Sequence, residues 1–450
     1  MKPPASQPFI GVKPPGPKTR ALLRSTGDPL DPFPPIWGIP ARNQEGPWIE
    51  DVDGNVYLDF VSGKCVANLG HRHPAVLSAV KKQIDHVILG ATENRFVLAE
   101  KLTSLTPGRF PKKVFFGSSG SDSIDGALKL ARWATGKPNI LCISGAYHGQ
   151  TYGALSVSST WNWMVRGFHP LSGVFHLPPP YCYRCPFKLS HPSCGLQCLR
   201  YLTETMFTTF CPPEDIAAVI IEPVFGDMGW VIPPDEYFLE LKKLSETHGF
   251  LFIADEVQTG FGRTGKWLAM NHLGLAPDIV CLGKPIASGF PLSAMVARAD
   301  LTTARGLDFQ QSYTLEANAP ACAAALATIR VIEEEHLLQN CTELGKQLLE
   351  KLRALQKNHP AIGDVRGRGL LATVEIIKNA KTREPGIQAA KTICRLALEN
   401  GLYTMFMGAF ETASIRIAPP LNSTPEIIDL GVEILDRAIS QAEKILFRKT

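Results

Sequence analysis

The sequence predicts an α/β protein, built as three layers around a mostly parallel, mixed sheet, with a smaller α+β domain beside it. Three observations point there. From residue 113 onward, short apolar runs alternate with amphipathic stretches of helical period. The runs are nearly continuous Val, Ile, Leu and Ala, as expected for strands covered on both faces. The chain has 450 residues, too many for one comfortable core.

Taken in order, residues 1 to about 45 are punctuated by Pro and Gly and read as an arm lying on another surface, such as a second subunit. Residues 48–60, with Asp53-Gly54-Asn55 at their centre, read as two short strands joined by a tight turn. Strands follow at 114–116, 139–143, 218–222, 251–254, 279–282 and 293–297, with helices at about 122–134 and 236–247. In such sheets ligands bind beyond the C-terminal strand ends. Helices at 319–329 and 344–356, strands at 362–366 and 370–376, a helix at 389–399, a strand at 414–417 and a helix from Pro425 complete the pattern. The expected divisions are an arm and small-domain segment over 1–75, a large domain over 76–325 with a Cys-rich insertion at 181–198, and a C-terminal small domain over 326–450.

The 46 basic residues nearly balance the 42 acidic ones, leaving a formal charge of +4 without a long basic block. Nothing in this asks for nucleic acid. No run approaches 18 uninterrupted apolar residues, so no membrane span is expected. The Pro-rich opening from Pro3 to Pro17 lacks the apolar stretch of an export signal, which makes the cytoplasm the expected location.

Three segments carry chemistry. Leu251 to Gln258 places Asp255 at the end of an apolar strand, where a buried carboxylate needs a cationic or protonated partner. A pyridinium nitrogen is such a partner, and a helix N-terminus is another. A second apolar run, Ile279-Val280-Cys281-Leu282, ends in Gly283-Lys284-Pro285. A lysine desolvated there has the lowered pKa that imine formation and proton abstraction need; a solvated loop lysine is the plain alternative. Ser118-Ser119-Gly120-Ser121 follows a strand and opens a helix, so its backbone N–H groups and hydroxyls suit a phosphate dianion. The same residues also suit a capping run, with Asp122 and Asp125 in the first turn. The segment is neither a P-loop nor a dinucleotide fingerprint.

Together these residues resemble the class III aminotransferases, a branch of the fold type I pyridoxal 5'-phosphate (PLP) enzymes, from about Trp48 to Leu421. The resemblance is carried by Leu251 through Gly262-Arg263-Thr264-Gly265, then Pro277-Asp278-Ile279 and Gly283-Lys284-Pro285 to Gly289-Phe290-Pro291. It implies the fold type I topology and a PLP Schiff base on Lys284, which also acts as the proton-transferring acid and base. It implies Asp255 at the ring nitrogen, Gln258 near the ring hydroxyl, and Ser119, Gly120 and Ser121 at the phosphate. Tyr147 would stack on the ring, with His148 and Glu222 in the cofactor shell. Thr314 resembles the threonine that reaches the phosphate of the neighbouring subunit, which implies a homodimer or a dimer of dimers. Arg416, in Ile415-Arg416-Ile417-Ala418-Pro419-Pro420, resembles the arginine that binds a substrate carboxylate.

Two segments depart from the family pattern. The phosphate turn, usually Asn-Ser-Gly-Ser-Glu-Ala-Asn-Glu, reads Ser118-Ser119-Gly120-Ser121-Asp122-Ser123-Ile124-Asp125 here. Leu315-Glu316-Ala317-Asn318 stands where Gly-Gly-Asn is usual.

The resemblance implies an aminotransferase moving an amino group between an amine or amino acid and a 2-oxo acid. Asp227, in Glu222-Pro223-Val224-Phe225-Gly226-Asp227-Met228-Gly229, replaces a glutamate that covers the carboxylate arginine in ornithine- and aminobutyrate-type members. It also resembles the second acid/base of racemases in this family, which work with Lys284 and Asp227 on opposite faces of the reacting carbon. Tyr183-Arg184-Cys185-Pro186-Phe187 resembles the same region of those racemase-like members.

Of eleven cysteines, Cys182, Cys185, Cys194 and Cys198 crowd into one Pro- and Gly-containing segment. The spacing is compatible with zinc, with paired disulfides and with free thiols, and His176 or His191 could replace a thiol as ligand. No metal is assigned from the sequence.

Overall fold

The computed structural model describes residues 7–25 and 39–446, and part of the expected N-terminal arm lies outside them. Within the described part of that arm, Pro17–Ser25 is helical. The Asp53 carboxylate accepts hydrogen bonds from its opening N–H groups, Lys18 at 2.8 Å and Thr19 at 3.0 Å.

The chain divides into two compact units. The larger comprises Ala75–Gln339 and Gly408–Glu411. Its seven-stranded sheet runs in the order Lys112–Gly117, Ser293–Arg298, Ile279–Leu282, Leu251–Asp255, Ile216–Ile221, Asn139–Ile143, Val174–Leu177. Ser293–Arg298 is antiparallel to both neighbours, and every other adjacent pair is parallel. The period of two distributes the side chains to two cores. Leu141, Ile143, Val219, Ile221, Phe252 and Ala254 join Tyr237, Phe238 and Leu241 on one face. Ile140, Cys142, Ala218, Ile220 and Ile253 join Ile124, Ala127 and Leu130 on the other. This is the three-layer mixed sheet expected from the sequence.

The covering helices have clear local causes. Gly120–Thr135 starts with Ser119 as N-cap, forms a reciprocal box with Asp122, and stops at Gly136 in the left-handed region at φ 71°. Asp235–His248 follows Pro234, carries Asp235 and Glu236 in its first turn, and stops at Gly249.

The smaller unit comprises the described parts of Met1–Pro74, Asn340–Met407 and Thr412–Thr450. One of its sheets is antiparallel throughout, in the order Ile362–Gly367, Ala372–Ile376, Ser414–Ile417, Met405–Met407. The other orders Ala41–Glu45, Trp48–Asp51, Val56–Asp59 and Leu402–Tyr403. The turn between Trp48–Asp51 and Val56–Asp59 is held by Asp51 Oδ1, which accepts from the N–H groups of Asp53 and Asn55. Among the described residues, no helix is long and apolar enough to cross a membrane.

Candidate active site

In the larger unit, the C-terminal ends of three neighbouring parallel strands carry Glu222, Asp255 and the Gly283-Lys284 pair. Glu222 directly follows Ile216–Ile221, Asp255 closes Leu251–Asp255 opposite Cys281, and Lys284 stands just past Ile279–Leu282. Small residues make the approach possible. A Cβ on Gly283 would lie 3.3 Å from the Gly120 Cα and 3.2 Å from Val257 Cγ1. A Cβ on Gly120 would lie 2.8 Å from the same Val257 methyl. The phosphate-type turn, the segment after Asp255 and the lysine turn therefore meet at one place, although they are far apart in the chain.

Asp255 is buried and satisfied at both oxygens: Oδ1 accepts the Val257 N–H at 3.0 Å, and Oδ2 lies 2.7 Å from His148 Nδ1. A carboxylate only accepts, so the His148 Nδ1 carries the proton in this contact. Glu222 holds two backbone segments, accepting from Tyr147 N at Oε1 and from Gly226 N at Oε2, each at 2.9 Å. Burial pushes its carboxyl above the ordinary range, with His148 opposing the shift. The Tyr147 phenol is also pushed up, first by burial and then by the negative charge of Asp227, Glu222 and Asp255, while a hydrogen bond from Gln150 opposes.

At the start of the Gly120–Thr135 helix, Asp122 Oδ2 accepts from Ser118 N at 2.8 Å and Ser119 N at 2.9 Å. Ser119 Oγ accepts from Asp122 N as the cap, and Ser119, Gly120 and Ser121 stand at the positive end of a 16-residue helix, where a dianion is favoured. Ser121 Oγ also accepts from Gln150 N at 3.2 Å. Gly149, at φ 136°, must be glycine, since a Cβ there would lie 2.2 Å from that hydroxyl oxygen.

Lys284 is half-buried and has a φ of 38°. A non-glycine residue in that region carries strain of about 1–3 kcal/mol, the kind that collects at functional sites. Asp227 is half-buried on a loop whose base is closed by paired backbone hydrogen bonds between Phe225 and Val231. Gln258 is buried, and its Oε1 accepts the indole N–H of Trp230 at 2.8 Å. A single sequence does not separate Trp230 from an ordinary core aromatic.

Thr314 is exposed on a turn, and Arg416 is buried in the smaller unit, at the centre of Ser414–Ile417. Cys182, Cys185, Cys194 and Cys198 line one void of about 20 Å³ together with His191. All four are thiols, and burial pushes Cys198 up to about 12. His176 pairs instead with Cys142, its Nδ1 3.2 Å from the sulfur. Among the described residues, no group of three or more His, Cys, Asp or Glu side chains is arranged to hold a metal ion.

The donor set fits PLP: a buried carboxylate for a protonated ring nitrogen, a turn of serine and glycine at a helix N-terminus for the phosphate, and a lysine between them in the order of the sheet. Residues 34–439 match the family model described as Aminotransferase class-III. The chain is 41% identical to an alanine/serine racemase of Pyrococcus horikoshii, over 96% of this chain and 92% of that protein. It is 36% identical to a 5-aminovalerate aminotransferase of Pseudomonas putida, over 90% and 94%. An amine transaminase from an uncultivated Pseudomonas species, solved in a PLP-bound form, superposes with a TM-score of 0.83 at 32% identity, over 90% of this chain and 95% of that one.

Proposed function

From the premise that the chain belongs to the class-III aminotransferases, PLP-dependent enzymes of fold type I that transfer amino groups, we propose that it works on amino acids as a cytoplasmic homodimer. The observation that carries the reading is the meeting of Gly120, Val257 and Gly283, which gathers the phosphate turn, the ring-nitrogen carboxylate and the lysine at one set of strand ends.

PLP, when bound, supplies an electron sink that labilises bonds at an amine-bearing carbon. Lys284 would hold it covalently, and its Nζ moves the proton at the reacting carbon. The Asp255 carboxylate, oriented by His148, would hold the proton of the ring nitrogen. Gly120 and Ser121 would bind the phosphate, Tyr147 would stack on the ring, and Gln258 would donate to the ring hydroxyl. Arg416 binds the substrate carboxylate through its planar fork of donors.

The dimer is supported by an apolar surface on the larger unit. Ile88, Leu89, Phe96 and Leu315 are 58%, 63%, 69% and 56% exposed. Their segments are tied together by the Arg95–Glu316 ion pair and by Asn318 Nδ2 donating to Ile88 O. Thr314 adjoins this surface in sequence, so a twofold partner would cover the patch and receive the threonine.

A second reading is amino-acid racemisation. Asp227 favours it, as a carboxylate close enough to Tyr147 to raise its phenol, and so does the 41% identity to a racemase. Incubation with single amino acids, with and without pyruvate or 2-oxoglutarate, tests both. Turnover that requires the oxo acid supports transfer, and inversion without it supports racemisation.

A further inference from the structure

Trp230 is almost fully buried at 1% exposure, yet it holds a positive φ of 51°, a conformation that large side chains rarely adopt. Its backbone N–H donates to Gly226 O at 3.2 Å, which closes the loop carrying Asp227, and its indole N–H donates to Gln258 Oε1 at 2.8 Å. The fold also removes any side chain from Gly226, where a Cβ would lie 2.6 Å from the same Gln258 oxygen and 3.0 Å from Glu222 Oε2. The strained tryptophan and the bare glycine thus serve one contact.

The indole nitrogen can only donate. The Gln258 atom facing it is therefore the carbonyl oxygen, and the amide NH2 is the end left for other partners. We propose that Trp230 is a positioning residue: it fixes the Gln258 amide so that the NH2 end, and not the oxygen, is presented to the hydroxyl of the PLP ring, and it locks that orientation to the Asp227 loop. The inference rests on the PLP reading of this pocket. A donor at the ring hydroxyl stabilises its ionised form, whereas an oxygen there would oppose it. A glutamine free to turn would present both ends.

The test uses the PLP-loaded enzyme and follows the pH titration of the cofactor's visible absorbance. Trp230→Phe keeps most of the bulk and removes the donor. Its midpoint should move by about half a unit or more from wild type. Gln258→Ala should move it comparably, and the double variant no further than Gln258→Ala alone. A lowered melting temperature with an unmoved midpoint would make Trp230 merely structural and overturn the proposal, as would a double variant whose shift is the sum of the singles. Should Trp230→Phe not fold, Gln258→Ala in protein labelled with 15N-tryptophan decides. One of the seven indole N–H resonances should move, and an unchanged set overturns the contact. Wild-type protein that takes up no PLP would instead overturn the cofactor reading itself, a failure visible before any variant is made.

Discussion

His148 Nδ1 stands 2.7 Å from Asp255 Oδ2, and both side chains are buried. The carboxylate proposed for the ring nitrogen of PLP is therefore oriented by His148. Replacing His148 with Phe removes one of its two partners, which should weaken PLP binding by about 1–3 kcal/mol, or roughly 5- to 150-fold. Equilibrium dialysis against PLP checks this, and affinity equal to wild type would leave His148 without that role.

Lys284 should carry the cofactor. Borohydride reduction followed by peptide mapping is expected to place the adduct on Lys284. Lys284→Ala should lose about 100- to 10,000-fold in rate because the mobile proton donor is gone. An adduct on any other lysine contradicts the assignment.

Arg416→Ala should discriminate between substrate classes. Loss of a charge-assisted pair should reduce kcat/KM for amino or oxo acids by about 2 kcal/mol or more, while simple amines are affected much less. Parallel losses for both classes would indicate general damage to the sheet.

Asp227→Asn separates the two reactions. If amino transfer is the function, the variant should change KM and substrate preference while keeping much of the half-reaction rate. If the enzyme racemises, the rate should fall about 100- to 10,000-fold. Wild-type enzyme given one enantiomer in deuterated water without an oxo acid provides the direct readout. Catalytic appearance of the opposite, deuterated enantiomer would favour racemisation.

His359 lies between two carboxylates, with Asp436 2.7 Å from Nε2 and Glu443 2.9 Å from Nδ1. Burial pulls its pKa down, but the bonds to Glu443 and Asp436 outweigh this and hold it above the ordinary value. A raised pKa in the fold means that the stabilisation is complete below the unfolded value of about 6.5 and is lost as pH rises through the folded value. Tm should therefore fall on that alkaline side by about 1 °C for each kcal/mol lost. His359→Gln should flatten this part of the pH profile in scanning calorimetry, and an unchanged slope would assign it to other groups.

The sheet strands that the sequence revealed most clearly are those buried on both faces, such as Leu251–Asp255 and Ile279–Leu282, because their apolar runs are unbroken. Val174–Leu177 escaped notice as a short edge strand with only Leu177 fully buried. The helix Glu93–Leu105 escaped because only Leu98 and Leu102 are buried, too few to mark a period. Ser119 is legible both as a cap and as a phosphate residue, and the fold shows the cap. Trp230 was not legible, since its partner Gln258 is 28 residues away and only the folded loop brings them together.

The loop between Phe225 and Val231 is fastened at its base by the backbone pair, at Gly226 by Glu222, and at Trp230 by Gln258. None of these fastenings uses the Asp227 side chain. A change of side chain at position 227 would leave these three fastenings in place. A scaffold arranged in this way gives neighbouring chemistries a short mutational path between them.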